Sequence, residues 1–150
     1  MPISKSHRGW GLGAAVDEMD KNFEEEHKRI QENKLYFYDK IVDNIEDIKL
    51  NSFIDERSAN HILNISFRDV KGEVLLHYLE SDNIYVSTGS ACSSKAKGKS
   101  GVLQALKLSH KEIDGTIRFS FSYDNTKEEL DFVVERLRKA VEEIRQITQR

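Results

Sequence analysis

Thr116–Phe121 reads TIRFSF, and its strict alternation places Ile117, Phe119 and Phe121 on one side and Arg118 and Ser120 on the other. A strand with one apolar and one polar face belongs to a sheet that is covered on one side only. His61–Phe67, HILNISF, repeats the pattern, with Ile or Leu alternating against polar residues. Ile48–Leu50 and Ile84–Val86 are shorter apolar runs that read as two further strands.

Helical segments separate these strands. From Gly11 to about Ile45, the residues Leu12, Val16, Met19, Phe23, Ile30, Phe37, Ile41 and Ile45 recur at steps of three, four or seven, with His27 and Lys34 filling the gaps. No proline interrupts the run. Such a helix would reach about 50 Å, whereas a compact chain of this length measures about 38 Å across. The helix therefore bends, or protrudes where a neighbour packs. Asp69 is placed to cap a second helix running to Ser81, with Val74, Leu75, Tyr78 and Leu79 on one side. Ser100 starts a short helix carrying Val102, Leu103 and Leu106. Ser109 with Glu112, and Thr126 with Glu129, have the capping-box spacing. The last helix presents Leu130, Val133, Val134, Leu137, Val141, Ile144 and Ile147 to the core. The order α-β-β-α-β-loop-α-β-α, with strands too short for a parallel stack, predicts an α+β fold. Its sheet is small and mostly antiparallel, with helices packed on one face. Residues 1–10 read as a flexible lead-in and 11–150 as one domain.

Composition narrows the function. The 150 residues are 33% charged and 38% hydrophobic, a globular profile. A net charge of −3 argues against a general nucleic-acid binder. No apolar run approaches the roughly 20 residues that span a bilayer, and no signal peptide opens the chain. With a single cysteine there is no internal disulfide, which fits a reducing, cytoplasmic setting. The five histidines are scattered without ligand spacing to that cysteine, so no metal site is expected.

The lone thiol, Cys92, lies in STGSACSSKAKGKSG, a stretch of small and basic residues between the third strand and the next helix. A free cysteine is ordinarily a small buried hydrophobe. Here no large apolar side chain surrounds it, so there is no stripe it could join. Lys95, Lys97 and Lys99 bring positive charge that favours the nucleophilic thiolate. A thiolate on a loop of small residues is suited to collecting a group at one place and delivering it at another.

The stretch VSTGSACSSK, then SGVLQAL, then TIRFSFSYDNTKEELD, resembles the C-terminal part of NifS/IscS-type cysteine desulfurases, members of the class-V aminotransferase group of fold-type I enzymes dependent on pyridoxal 5'-phosphate (PLP). HILNISF and the long helix from GLGAAV fit the same family in the same order, so the resemblance covers about residues 11–148. Its most specific piece is the (S/T)GSAC loop, which separates this branch from the SufS-like one. The resemblance implies that Cys92 is catalytic: it takes the sulfur of a cysteine–PLP adduct as a persulfide, alanine is released, and the sulfur passes to acceptor or scaffold proteins for iron–sulfur clusters or thio-cofactors. It also implies that Arg118, within IRFS, binds the substrate carboxylate, as a planar guanidinium with two parallel donors can.

The cofactor's lysine, its pyridine-nitrogen aspartate and its phosphate cup belong in that family to a large upstream domain, and the family's RSGTxN phosphate element is absent here. The resemblance thus implies a small domain without bound PLP, inactive alone, whose partners are the missing large domain, a second protomer of the parent homodimer and a sulfur acceptor.

Other readings compete. Ser93-x4-Gly98-Lys99-Ser100 nearly matches a phosphate-binding loop, but serine replaces the first glycine and no magnesium-binding aspartate follows a later strand. Phe119 and Phe121 share a face as RNA-stacking aromatics do, although core packing against the last helix is their simpler role. A PLP-independent sulfur-relay or protein-interaction module would keep the Cys92 thiol chemistry without the cofactor.

Overall fold

A computed structural model describes residues 14–52, 54, 61–88 and 109–150. Helix α1 runs Ala14–Asn44 and is followed by strands β1 (Ile48–Leu50) and β2 (Ile62–Phe67). Helix α2 (Gly72–Glu80), strand β3 (Ser87–Thr88), the short helix α3 (His110–Asp114), strand β4 (Thr116–Ser120) and helix α4 (Lys127–Thr148) complete the order. The four strands form one sheet in the order β1-β2-β4-β3, antiparallel at every pairing. Among the described residues this is the α+β arrangement expected from alternation and helix period.

The register explains which face is covered. Leu63 lies opposite Phe119 and Ile65 opposite Ile117, and these four side chains, with Phe67 and Phe121, are buried. Helices α1, α2 and α4 complete that core with Phe37, Ile41, Ile45, Leu75, Leu79, Leu130, Val134, Leu137, Val141 and Ile144. Phe37 of α1 meets Phe119 and Phe121 edge-on, with ring centroids 5.0 and 5.4 Å apart. Full burial of each large apolar side chain contributes about 1.5–3 kcal/mol, which is why the helices hold to this face. The residues between, Asn64, Ser66, Thr116, Arg118 and Ser120, point to the other face.

Both capping boxes form. The Ser109 hydroxyl accepts from the Glu112 N–H and the Glu112 carboxylate from the Ser109 N–H, and Thr126 with Glu129 do the same at the start of α4. Arg145, near the end of α4, donates to the carbonyls of Arg68, Glu46 and Asp47. It thereby ties α4 to the β2–α2 turn and to the tight turn after α1, where Asp47 has a φ of 54°.

Several expectations are corrected. Asp69 does not cap α2: its φ of 59° places it in a left-handed turn, and Lys71 is the N-cap without a side-chain bond. The third strand is Ser87–Thr88 and not Ile84–Val86, because only Ser87 and Thr88 lie opposite β4. Of the expected apolar stripe on α2 only Leu75 and Leu79 are buried, while Val74 and Tyr78 are exposed, Tyr78 instead bonding Glu143 of α4. Ile147 is 68% exposed one turn beyond the last buried residue of α4. Phe23 of α1 is 64% exposed and stacks on His27, whereas Lys34, further along the same helix, is fully buried. Residues 22–29 of the helix therefore run largely exposed, ahead of the segment that enters the core. The lead-in at 1–10, the helix expected from Ser100 and the Cys92 loop from Gly89 onward lie outside the described residues; Ser87 and Thr88, expected as the start of that loop, form β3 instead.

Candidate functional site: the open face of the sheet

Two glycines set the approach to β4. A Cβ on Gly115 would stand 2.3 Å from the Phe67 carbonyl oxygen and 2.9 Å from that of Val70, so α3 can turn into β4 beside the end of β2 only without a side chain. A Cβ on Gly72 would come 2.8 Å from the Asp114 oxygen and 3.4 Å from the Thr88 methyl. The start of α2, the start of β4 and the end of β3 are thus pressed together.

A directed hydrogen-bond chain crosses the open face. Asn51 Nδ2 donates to Ser66 Oγ at 2.7 Å and to Asn64 Oδ1 at 3.3 Å. Ser66 and Thr116 share a buried hydroxyl–hydroxyl bond of 2.8 Å, and Thr116 Oγ1 donates to the Glu112 carbonyl at 2.6 Å. Since the Thr116 proton is spent on Glu112, Ser66 donates to Thr116 and accepts from Asn51. The polarity runs one way from Asn51 to Glu112. The Glu112 carboxyl is held down at about 2, first by the Ser109 backbone N–H, then by Lys49, whose ammonium lies 2.9 Å away, and by the Ser109 side chain.

Arg118 stands beside this chain on β4, exposed, with Asn64 of β2 opposite on one side and Ser87 of β3 opposite on the other. Among the described residues its side chain makes one hydrogen bond, a long one, Nη2 to Ser87 Oγ at 3.5 Å. The ordinary fate of a strand arginine is a surface ion pair, but among the described residues no carboxylate pairs with Arg118. A permanent cation on a polar sheet face, with no counter-charge among the described residues, can take a carboxylate from outside.

Cys92, the other expected site residue, lies outside the described residues. Thr88, buried at the end of β3 opposite Ile117, is the described residue from which the chain continues toward it. The root of that segment, β3, and Arg118 on β4 occupy neighbouring strands. Asn64 and Ser87 flank Arg118 in the sheet and were not singled out from sequence; alternation in HILNISF gives Asn64 a polar position, but only the fold sets that strand beside β4.

Other surfaces offer less. A groove of about 440 Å³ is bordered by Lys49, Arg68 and Lys111 but equally by Asp47, Asp69 and Glu112, so it selects neither sign of charge. Phe119 and Phe121 face the core at 5% and 4% exposure, which removes them as a stacking platform for RNA bases. Among the described residues no group of acidic, histidine or cysteine side chains could hold a metal ion, and no helix is long and apolar enough to cross a membrane.

The aminotransferase class-V family model matches residues 8–133. The chain is 37% identical over 142 residues to the cysteine desulfurase IscS of Dictyoglomus turgidum, covering 92% of this chain and 35% of that protein. To the cysteine desulfurase IscS of Proteus mirabilis it is 35% identical over 142 residues, covering 95% and 34%. The chain therefore spans about a third of the length of the curated relatives it matches. Among solved structures, a NifS-like protein superimposes with a TM-score of 0.62 at 23% identity, over 84% of this chain and 29% of that one. A NifS-like protein from Rickettsia africae gives 0.60 at 21%, over 84% and 31%. These two likenesses establish a shared fold.

Proposed function

Because the chain belongs to the class-V aminotransferase family, related to cysteine desulfurases, we propose that it is the C-terminal small domain of such an enzyme, with Cys92 as sulfur acceptor and Arg118 as carboxylate clamp. The observation that carries this reading is Arg118: a cation with no acidic partner among the described residues, one strand away from the root of the segment bearing Cys92. In the overall conversion, the Cys92 thiol and the thiol of substrate cysteine become a Cys92 persulfide and alanine. The carbon–sulfur bond of the substrate breaks, a sulfur–sulfur bond forms, and the carbon left behind takes a proton. The persulfide sulfur then passes to an acceptor thiolate by attack on the outer sulfur.

The described residues do not fit PLP by themselves. Among the described residues the open sheet face carries Arg118 with no lysine or aspartate beside it, so in this reading the cofactor's electron-sink chemistry falls to the large domain of the parent enzyme. The contributions of this chain are to fix the substrate carboxylate at Arg118 and to deliver a thiolate. Outside the cell, the chain alone should release no alanine from L-cysteine. Addition of a PLP-binding large domain from a relative should restore release. Failure of that reconstitution, combined with uptake of sulfur by Cys92 from another persulfide protein without PLP, would support the second reading, a cofactor-independent sulfur relay. That alternative rests on the Cys92 surroundings alone, whereas the desulfurase reading also accounts for Arg118.

A further inference from the structure

The pairing of β2 with β4 holds more than the register of the core. Asn64 and Arg118 are direct cross-strand partners. The backbone of Asn64 is engaged on the side away from β4: its carbonyl accepts from the Asn51 N–H at 2.9 Å and its N–H donates to Ser52 Oγ at 3.1 Å. Asn64 and Arg118 therefore form a pair of the non-hydrogen-bonded kind, in which Cα atoms approach to about 4.5 Å and side chains stand closest. Both side chains lie on the open face, since their neighbours Leu63, Ile65, Ile117 and Phe119 fill the core.

The orientation of the Asn64 carboxamide follows from the hydroxyl chain. The Thr116 bond to the Glu112 carbonyl forces Ser66 to donate to Thr116, hence Asn51 to present its Nδ2 to Ser66 and to Asn64. Turning the Asn51 amide over would leave the two protons of Ser66 and Thr116 to fill three bonds. Asn64 thus offers its oxygen to Asn51, and among the described residues its Nδ2 meets no acceptor; it shares the open face with Arg118, its cross-strand partner, whose Nη2 leans to Ser87 on the other side. A carboxylate has about four lone-pair positions, of which a guanidinium fork fills two.

We propose that Asn64 is a second donor to the carboxylate held by Arg118, so that the site recognises a carboxylate through three hydrogen bonds from two adjacent strands. This rests on Arg118 being the clamp. The neutral amide also keeps the site cationic, where an acid at the same position would occupy Arg118 from within the sheet.

The test uses the 150-residue chain with nitrogen-15 in asparagine and arginine side chains, titrated with L-alanine and separately with acetate at constant ionic strength, sodium chloride serving as control. The expected result is a saturable shift of the Asn64 Nδ2 protons and the Arg118 Nε proton with one common midpoint for each carboxylate and none for chloride. Asn64→Ala should weaken that midpoint on the order of tenfold, the usual worth of one hydrogen bond to a charged group, and Asn64→Asp should abolish it. If Arg118 shifts while Asn64 does not, and Asn64→Ala leaves the midpoint unchanged, the second donor is refuted and the clamp survives. If Arg118 shifts with no carboxylate, the clamp itself fails and Asn64 with it. Should either substitution loosen the fold, seen in the methyl resonances of Leu63 and Ile65, the titration of the unsubstituted chain decides, because it reads both side chains together.

Discussion

Gly115→Ala should lower the stability of this domain by about 3 kcal/mol, at the upper end of the usual cost of overpacking. The added Cβ would stand 2.3 Å from the Phe67 carbonyl oxygen, against a close carbon–oxygen contact of about 3.3 Å, an overlap of roughly 1 Å. Both obstructing atoms, the oxygens of Phe67 and Val70, are backbone. No side chain can swing away, and relief must come from parting β2 from the start of β4, where the Phe67 N–H donates to the Gly115 oxygen at 2.9 Å. For a chain of this size about 3 kcal/mol corresponds to a fall of about 6–12 °C in Tm. Thermal unfolding by circular dichroism, with urea midpoints at unchanged slope, measures it. Ser120→Ala, exposed on the open face, is the matched control and should stay within about 0.5 kcal/mol. A Gly115→Ala chain melting within about 2 °C of the original would show that the turn into β4 is not as tight as the geometry says.

Further outcomes are expected. Leu137→Ala, which empties a fully buried position on α4, should cost about 2–5 kcal/mol, read from the urea midpoint. Arg145→Ala frees three backbone carbonyls at the α1–β1 and β2–α2 turns and should cost about 1–3 kcal/mol, with faster amide exchange at Asp47 and Arg68. The Glu112 carboxyl, depressed from 4.5 to about 2 by the Ser109 N–H and Lys49, binds its proton more weakly folded than unfolded. Its contribution is present above pH 4.5 and is lost as pH falls toward 2. Tm should decline through that window, and Glu112→Gln should flatten the decline. In the reconstituted enzyme, Arg118→Ala should raise KM for cysteine on the order of tenfold or more while leaving direct alkylation of Cys92 unchanged.

The fold was readable because its strands alternate cleanly. Leu63, Ile65, Ile117 and Phe119 announce one covered face in sequence and form it in space. Both capping boxes were readable for the same reason: they are local and complete within four residues. What failed was decided by tertiary pairing. Ile84–Val86 has better strand composition than Ser87–Thr88, yet only the latter meets β4. Asp69 is a good cap residue type, but the approach of β2 to α2 requires a left-handed turn there. Ile147 and Phe23 continue apolar stripes beyond the ends of what those helices cover. Arg118 was singled out from its motif. Asn64 was not, because its significance depends on which strand lies beside β2, and nothing within HILNISF specifies β4 as the neighbour.

The most direct test of the account follows sulfur. This chain, reconstituted with a PLP-binding large domain and given L-cysteine without an acceptor, should yield alanine in step with the addition of one sulfur atom to Cys92, located by peptide mass spectrometry, and Cys92→Ser should abolish both. Alanine released at an undiminished rate by the Cys92→Ser chain, or sulfur appearing nowhere on Cys92, would contradict it.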